Sequence, residues 1–150
     1  MRKFQSYIDL MKIRQKTIGV IPARLAASRF PNKPLKKITH LTMLEHVYER
    51  AKLAKSLNYI VIATCDKKIF NFAKEKKYNV IMTSKKHVRA LDRVYEASKN
   101  LTKKLKLKKT DLTVCIQADE PMLDPNMIDK SINFLKKNKS AKCTILGMEI

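Results

Sequence analysis

The chain has 150 residues, with 33 Lys and Arg against 13 Asp and Glu, for a formal net charge of +20. A hydrophobic fraction of 45% fits a globular domain and is too high for a disordered chain. Two glycines exclude collagen-like, Gly-linker and Gly-rich phosphate-loop designs, and no apolar run approaches the roughly 20 residues that a bilayer span needs.

Residues 1–16 are basic without an apolar stretch, so they read as an N-terminal extension and not as a secretory signal. Residues 17–150 form the expected domain, soluble and cytoplasmic, with no membrane partner. Cys65, Cys115 and Cys143 are odd in number and widely spaced, unlike a disulfide framework or a zinc site, and read as inert core thiols beside apolar strands. The lysines are scattered through helices and one linker. No zinc finger, aromatic RNA-binding strand or helix-turn-helix pattern accompanies them, so no specific nucleic-acid partner is expected.

Apolar runs and helical patterns then alternate. Thr17 to Pro22 reads as a buried strand, followed by a polar, proline-bounded loop from Ala23 to Leu35. Leu41 to Leu57 carries apolar residues at helical spacing. Tyr59 to Ala63 is a strand, Lys67 to Lys77 a short helix, and Tyr78 to Met82 a third strand. A helix over Leu91 to Leu101 precedes a strand over Leu112 to Gln117. Pro125 to Lys136 is the fourth helix, with Asp124 as N-cap, and Lys142 to Met148 is expected as a fifth strand. This alternation implies βαβ units and a mostly parallel sheet, in which ligands bind beyond the carboxyl ends of the strands. The loops after Ile21, Met82 and Ile116 are therefore the candidate site.

Three clusters occupy those loops. The first holds Ala23, Arg24, Ser28, Arg29 and Lys33, stiffened by Pro22, Pro31 and Pro34. Arginine forks and a lysine point charge suit a triphosphate, while Asn32 tolerates a left-handed backbone; a solvated basic loop explains the same residues equally well. The second is Gln117-Ala118-Asp119-Glu120-Pro121. There Gln117 can hydrogen-bond a base edge, and Asp119 offers a hard oxygen to Mg²⁺ or merely caps the following turn. The third contains Ser84, His87, Asp92 and Arg93. His87 is a ligand contact or an ordinary loop histidine, and Asp92 and Arg93 serve a ligand or simply open a helix. His46 reads as structural.

Taken in order, the segments Val20-Ile21-Pro22-Ala23-Arg24, Ser28 to Leu35, Met43 to Ala51, Ile62-Ala63-Thr64, Met82-Thr83-Ser84 with His87, Asp92-Arg93 and Gln117 to Pro121 form a pattern. It resembles the 3-deoxy-manno-octulosonate (Kdo) cytidylyltransferase, or CMP-Kdo synthetase, family over about residues 17–148. The resemblance implies a three-layer α/β sandwich of the Rossmann-like nucleotidyltransferase type. It also implies transfer of CMP from CTP to an acidic sugar, with Mg²⁺ as cofactor and pyrophosphate released. Carried over, Arg24 and Lys33 hold the triphosphate with Ser28 and Arg29 in support, and Gln117 and Ala118 contact the nucleotide. Ala23 and Ser84 belong to the same nucleotide site; His87, Asp92 and Arg93 face the substrate; Asp119 binds the metal. Catalysis then rests on Arg24, Lys33 and Asp119.

The chain departs from the family pattern at Asn32 and Ala118, each in place of a glycine, and at Arg89-Ala90-Leu91 in place of Ser-Gly-Thr. That last change removes two hydroxyls, adds a cation and motivates a different acidic sugar as acceptor. The resemblance also implies a missing C-terminal part. The expectation is thus a truncated or split enzyme, acting as a homodimer or with a partner that supplies the remainder. An inactive nucleotide-binding fragment and a basic polyanion-binding protein are the alternatives.

Overall fold

The computed structural model describes residues 15–26, 30–109 and 111–145. Ser28, Arg29, most of the N-terminal extension and the end of the expected fifth strand lie outside these residues.

Four strands, β1 (Thr17–Ala23), β4 (Tyr59–Thr64), β5 (Val80–Met82) and β6 (Leu112–Cys115), form one wholly parallel sheet in the order β5-β4-β1-β6. The short strands β2 (Lys37–Ile38) and β3 (Leu41–Thr42) pair antiparallel beside it. The helices are α1 (Met43–Ala51), α2 (Lys67–Glu75), α3 (Ala90–Leu105) and α4 (Pro125–Lys137).

Strand alternation divides the core into two layers. Ile21, Ala23, Ile60 and Ile62 point to one face and pack with apolar residues of α1, α2 and α4. Ile18, Val20, Val61 and Ala63 point to the other face, which α3 covers with Val94, Ala97 and Leu101. A sheet covered on both faces needs strands that are apolar throughout, as β1 and β4 are. The three-layer α/β sandwich is thereby established. Gly19 belongs to the dense middle of this packing: a Cβ there would lie 2.9 Å from Ile116 Cδ1 and 3.1 Å from Leu57 Cδ1.

Local chemistry moved several boundaries. The helix expected from Leu41 begins at Met43, because Thr42 and Glu45 form a capping box: Glu45 N–H donates to Thr42 Oγ1 (3.2 Å) and Thr42 N–H to Glu45 Oε2 (2.7 Å). It stops at Ala51, and Asp129 of α4 accepts the backbone N–H groups of Lys55 and Ser56 in the turn beyond. The helix α4 starts where expected, with Asp124 accepting from Asn126 N–H and Pro125 in the first turn. Lys142 to Ile145 are not in a strand, which corrects that expectation: no described strand pairs with them, and Ile145 is 91% exposed. Cys143 is likewise exposed, so it is no core thiol, whereas burial pushes the half-buried Cys115 thiol up and keeps it unreactive.

Glu45 is buried at the α1 N-terminus and pairs with Lys76 Nζ at 2.9 Å. Burial alone would raise its carboxyl, but the Thr42 N–H and the Lys76 ammonium hold it below its ordinary 4.5. The folded state therefore releases this proton at lower pH than the unfolded chain. Its stabilisation is complete above about pH 4.5 and is lost as pH falls through the lowered value. In urea titrations at neutral pH, Glu45→Ala is expected to cost about 1–2 kcal/mol, through the lost cap and the unpaired Thr42 N–H. Glu45→Gln retains the capping box and costs less, but flattens the acid dependence.

Candidate functional site

Strand order reverses between β1 and β6, the position at which open parallel sheets form ligand crevices beyond their carboxyl ends. A cleft of about 270 Å³ opens there. Its walls come from the three loops singled out in the sequence: the β1 loop, the segment leading into α3, and the turn after β6.

The described ends of the β1 loop are fixed by their backbone. Leu25 N–H donates to Asp66 Oδ2 (2.8 Å), which ties the loop to the end of β4, and Asn32 N–H donates to Leu25 O (3.2 Å). Asn32 has a left-handed backbone, φ 58°, which turns the chain into a single 3-10 turn at Lys33–Leu35. Buried Pro34 anchors that turn. Arg24 and Lys33 are thus carried into the cleft from both ends of one braced loop. Arg24 is exposed and makes no hydrogen bond or ion pair among the described residues.

Across the cleft, β6 ends in Gln117, Ala118 and Asp119, all of which line it. Ala118 is buried while its neighbours Gln117 and Asp119 are exposed. Lys33 Nζ reaches over to Asp119 Oδ2 at 2.8 Å. Both side chains are substantially solvated, so this pair contributes little to stability.

The third wall is held differently. Arg93, only 3% exposed, donates from Nη1 to Thr83 Oγ1 and to Ser84 O (3.3 Å), fastening the end of β5 to α3. Its acceptors are neutral, and the Glu96 carboxylate supplies the nearby negative charge. Glu96 Oε2 in turn accepts the Ser84 N–H (2.9 Å) and His87 Nε2. The Ser84 N–H, with the His87 ring and Arg93, holds the Glu96 carboxyl below its ordinary range. His87 and Arg93 line the cleft, as does Arg89 at its mouth.

The structure therefore brings Ala23, Arg24, Lys33, His87, Arg93, Gln117, Ala118 and Asp119 to one cleft. Ser84 stands behind its wall. Asp92 is directed to Arg89 Nε (3.7 Å) and is not among the lining residues. His46 is structural, its Nε2 within 2.9 Å of Ile38 O. Sequence reasoning missed Glu96 and Asp66. The signal for Glu96 was its place one helical turn after Arg93; that for Asp66 was its place between β4 and α2, where it braces a neighbouring loop and does not cap its own helix.

Four cleft-lining residues carry a positive charge (Arg24, Lys33, Arg89 and Arg93) against the one carboxylate of Asp119, a charge balance that favours anions in the cleft. Asp119 fits Mg²⁺ as a single oxygen ligand, since that ion commonly takes one or two carboxylates and completes its shell with phosphates and water. Among the described residues no group of three or more His, Cys, Asp or Glu converges on a metal position. The site thus suits an ion that arrives with a phosphate ligand. The two cation environments are expected to separate in urea titrations. Lys33→Met should change stability by less than about 1 kcal/mol. Arg93→Met, which strands Thr83 and Ser84 in the wall, should cost about 2–3 kcal/mol.

Residues 18–150 match the family model described as cytidylyltransferase. The chain is 41% identical over 134 residues to the 8-amino-3,8-dideoxy-manno-octulosonate cytidylyltransferase of Shewanella sp. (strain W3-18-1), covering 89% of this chain and 53% of that protein. It is 37% identical over 130 residues to the 3-deoxy-manno-octulosonate cytidylyltransferase of Thermodesulfovibrio yellowstonii, covering 86% and 51%. Its fold superposes on the solved structure of CMP:2-keto-3-deoxy-manno-octonic acid synthetase complexed with CTP, with a TM-score of 0.76 and 29% identity, covering 84% of this chain and 49% of that one. The chain thus spans about half the length of the curated relatives it matches. With the family model matched along almost its whole length, the chain belongs to the cytidylyltransferase family.

Proposed function

We propose that this chain carries the CTP-binding part of an enzyme that transfers CMP from CTP to 3-deoxy-manno-octulosonate or a related acidic sugar, with release of pyrophosphate. The observation that carries this reading is the convergence of Arg24, Lys33 and Asp119 beyond the carboxyl ends of β1 and β6, with Gln117 and Ala118 beside them. The relatives named for 3-deoxy-manno-octulosonate and for its 8-amino analogue support this acceptor class. The proposed setting is the cytoplasm, in a lipopolysaccharide or surface-polysaccharide pathway. Among the described residues no helix is long and apolar enough to cross a membrane.

In this reading Arg24 and Lys33 bind the triphosphate and neutralise charge on the leaving pyrophosphate. Exposed Gln117 presents its amide to the nucleotide, and buried Ala118 lets it approach the backbone closely. Ser28 and Arg29, in the same loop, support the phosphate contacts. The segment from Ser84 to Arg93, including His87 and Asp92, forms the wall that reads the base or the sugar. The sugar's anomeric hydroxyl attacks the α-phosphorus; the new P–O bond forms as the bond to the β-phosphate oxygen breaks. The electron pair leaves with pyrophosphate, and the hydroxyl proton is lost to solvent. Asp119 would hold Mg²⁺, which when bound supplies Lewis-acid polarisation of the phosphoryl oxygens.

The half-length match supports a second reading, in which the chain binds nucleotide but turns over only with a further segment, a partner chain or a second copy. Calorimetric titration of CTP with and without Mg²⁺, against UTP and ATP at physiological salt, tests the shared core of both readings. Expected is Mg²⁺-dependent binding that prefers CTP and weakens at least about tenfold in Asp119→Ala. Equal, salt-sensitive binding of every nucleotide would overturn both readings and leave a polyanion-binding protein.

A further inference from the structure

On the α3 side of the cleft, Glu96 collects two hydrogen bonds on one oxygen. Its Oε2 accepts the backbone N–H of Ser84 and faces Nε2 of His87. An ionised carboxylate only accepts, so the His87 ring must carry its proton on Nε2. The ring's second nitrogen, Nδ1, makes no hydrogen bond among the described residues. His87 lines the cleft and keeps about a quarter of its side chain exposed. The Ser84 N–H, foremost among its partners, favours the ionised Glu96. Arg93 pins the other side of the same segment through Thr83 and the Ser84 carbonyl. Between these anchors the chain from Lys85 to Arg89 is exposed or half-exposed, so little apolar packing holds it in place.

We propose that Glu96 is a positioning residue for nucleotide recognition: by holding His87 Nε2 and the Ser84 N–H it fixes the cleft wall and presents His87 Nδ1 to the bound nucleotide as a hydrogen-bonding atom. This rests on the cleft being the CTP site. Glu96 does not touch the nucleotide; it acts through His87. Because both bonds converge on one oxygen, a glutamine amide oxygen can accept both, whereas alanine accepts neither.

The test combines CTP titration and thermal melting of the full chain with its Glu96→Ala, Glu96→Gln and His87→Ala variants and the Glu96→Ala/His87→Ala double variant. Expected are a roughly tenfold loss of CTP affinity in Glu96→Ala, a loss within about threefold in Glu96→Gln, and a double variant no weaker than the weaker single one. Ring ¹⁵N spectra should show the His87 proton on Nε2 in the wild type and in Glu96→Gln, and no fixed preference in Glu96→Ala. A Glu96→Ala protein that melts lower but keeps wild-type CTP affinity overturns the inference, since Glu96 would then only stabilise the fold. So do fully additive losses in the double variant, or a wild-type ring protonated on Nδ1 alone. If the wild type shows no preference for CTP, the site reading itself fails and the inference falls with it. That outcome is distinct from the others, in which the wild type binds CTP.

Discussion

The polar residues at the ends of β1 and β6, two of the three walls of the cleft, are placed by the burial of β1 on both faces. Six of the seven residues of β1 are buried, with Ile21 and Ala23 packed into one helical layer and Ile18 and Val20 into the other. A strand so enclosed leaves its charged residues nowhere to go until its carboxyl end, and Arg24 is the first position after it. The neighbouring β6 ends the same way, passing from half-buried Cys115 and buried Ile116 to exposed Gln117 and Asp119. Parallel pairing brings those two ends side by side. The cleft is therefore a consequence of sheet packing before it is a matter of chemistry.

Electrostatic pairing separates the scaffold from the site. The carboxylates that support the fold are satisfied: Glu45 by Thr42 and Lys76, Asp129 by two backbone N–H groups, Asp66 by Leu25 N–H. Arg93 is buried and bound through Nη1 to Thr83 and Ser84. By contrast, Arg24 has no partner among the described residues, and Arg89 is 85% exposed with only a loose ion pair at 3.7 Å. Arg24 and loosely paired Arg89 thus share one crevice with Lys33, whose partner is the solvated Asp119, so positive charge is concentrated there with little internal compensation.

Much of this was legible in the sequence because the signals were local. Alternating apolar runs announced the parallel sheet, and the placement of chemistry after Ile21, Met82 and Ile116 followed from a rule about strand ends, not from any single motif. Asn32 between two prolines foretold the left-handed turn that aims Lys33. What was missed depends on long-range pairing. The shift of α1 to Met43 required Leu41 to be claimed by a two-residue strand, and the failure of Lys142–Ile145 to form a strand reflects the lack of a described partner, since an apolar run becomes a strand only when a neighbour supplies its hydrogen bonds. Glu96 and Asp66 were overlooked for the same reason: one looks like a routine surface helix residue and the other like an ordinary helix cap, until the fold brings a loop from elsewhere onto each carboxylate.

The Lys33–Asp119 contact has the character of a held exchange and not of a staple. It joins residues 86 positions apart at 2.8 Å, yet leaves both side chains in water, where a lone ion pair gains less than about 1 kcal/mol. A nucleotide triphosphate with its metal brings one anion and one cation to the same place. In the proposed function each partner of the pair trades the other for a stronger one, Lys33 for phosphate oxygens and Asp119 for the ion. Separating the two therefore strands neither charge and costs little. A buried bridge at this position would instead resist separation, by the desolvation cost of unpairing it. In that function the weakness of the contact is what lets these opposite charges stand paired at 2.8 Å and still separate at little cost when phosphate and an ion replace them.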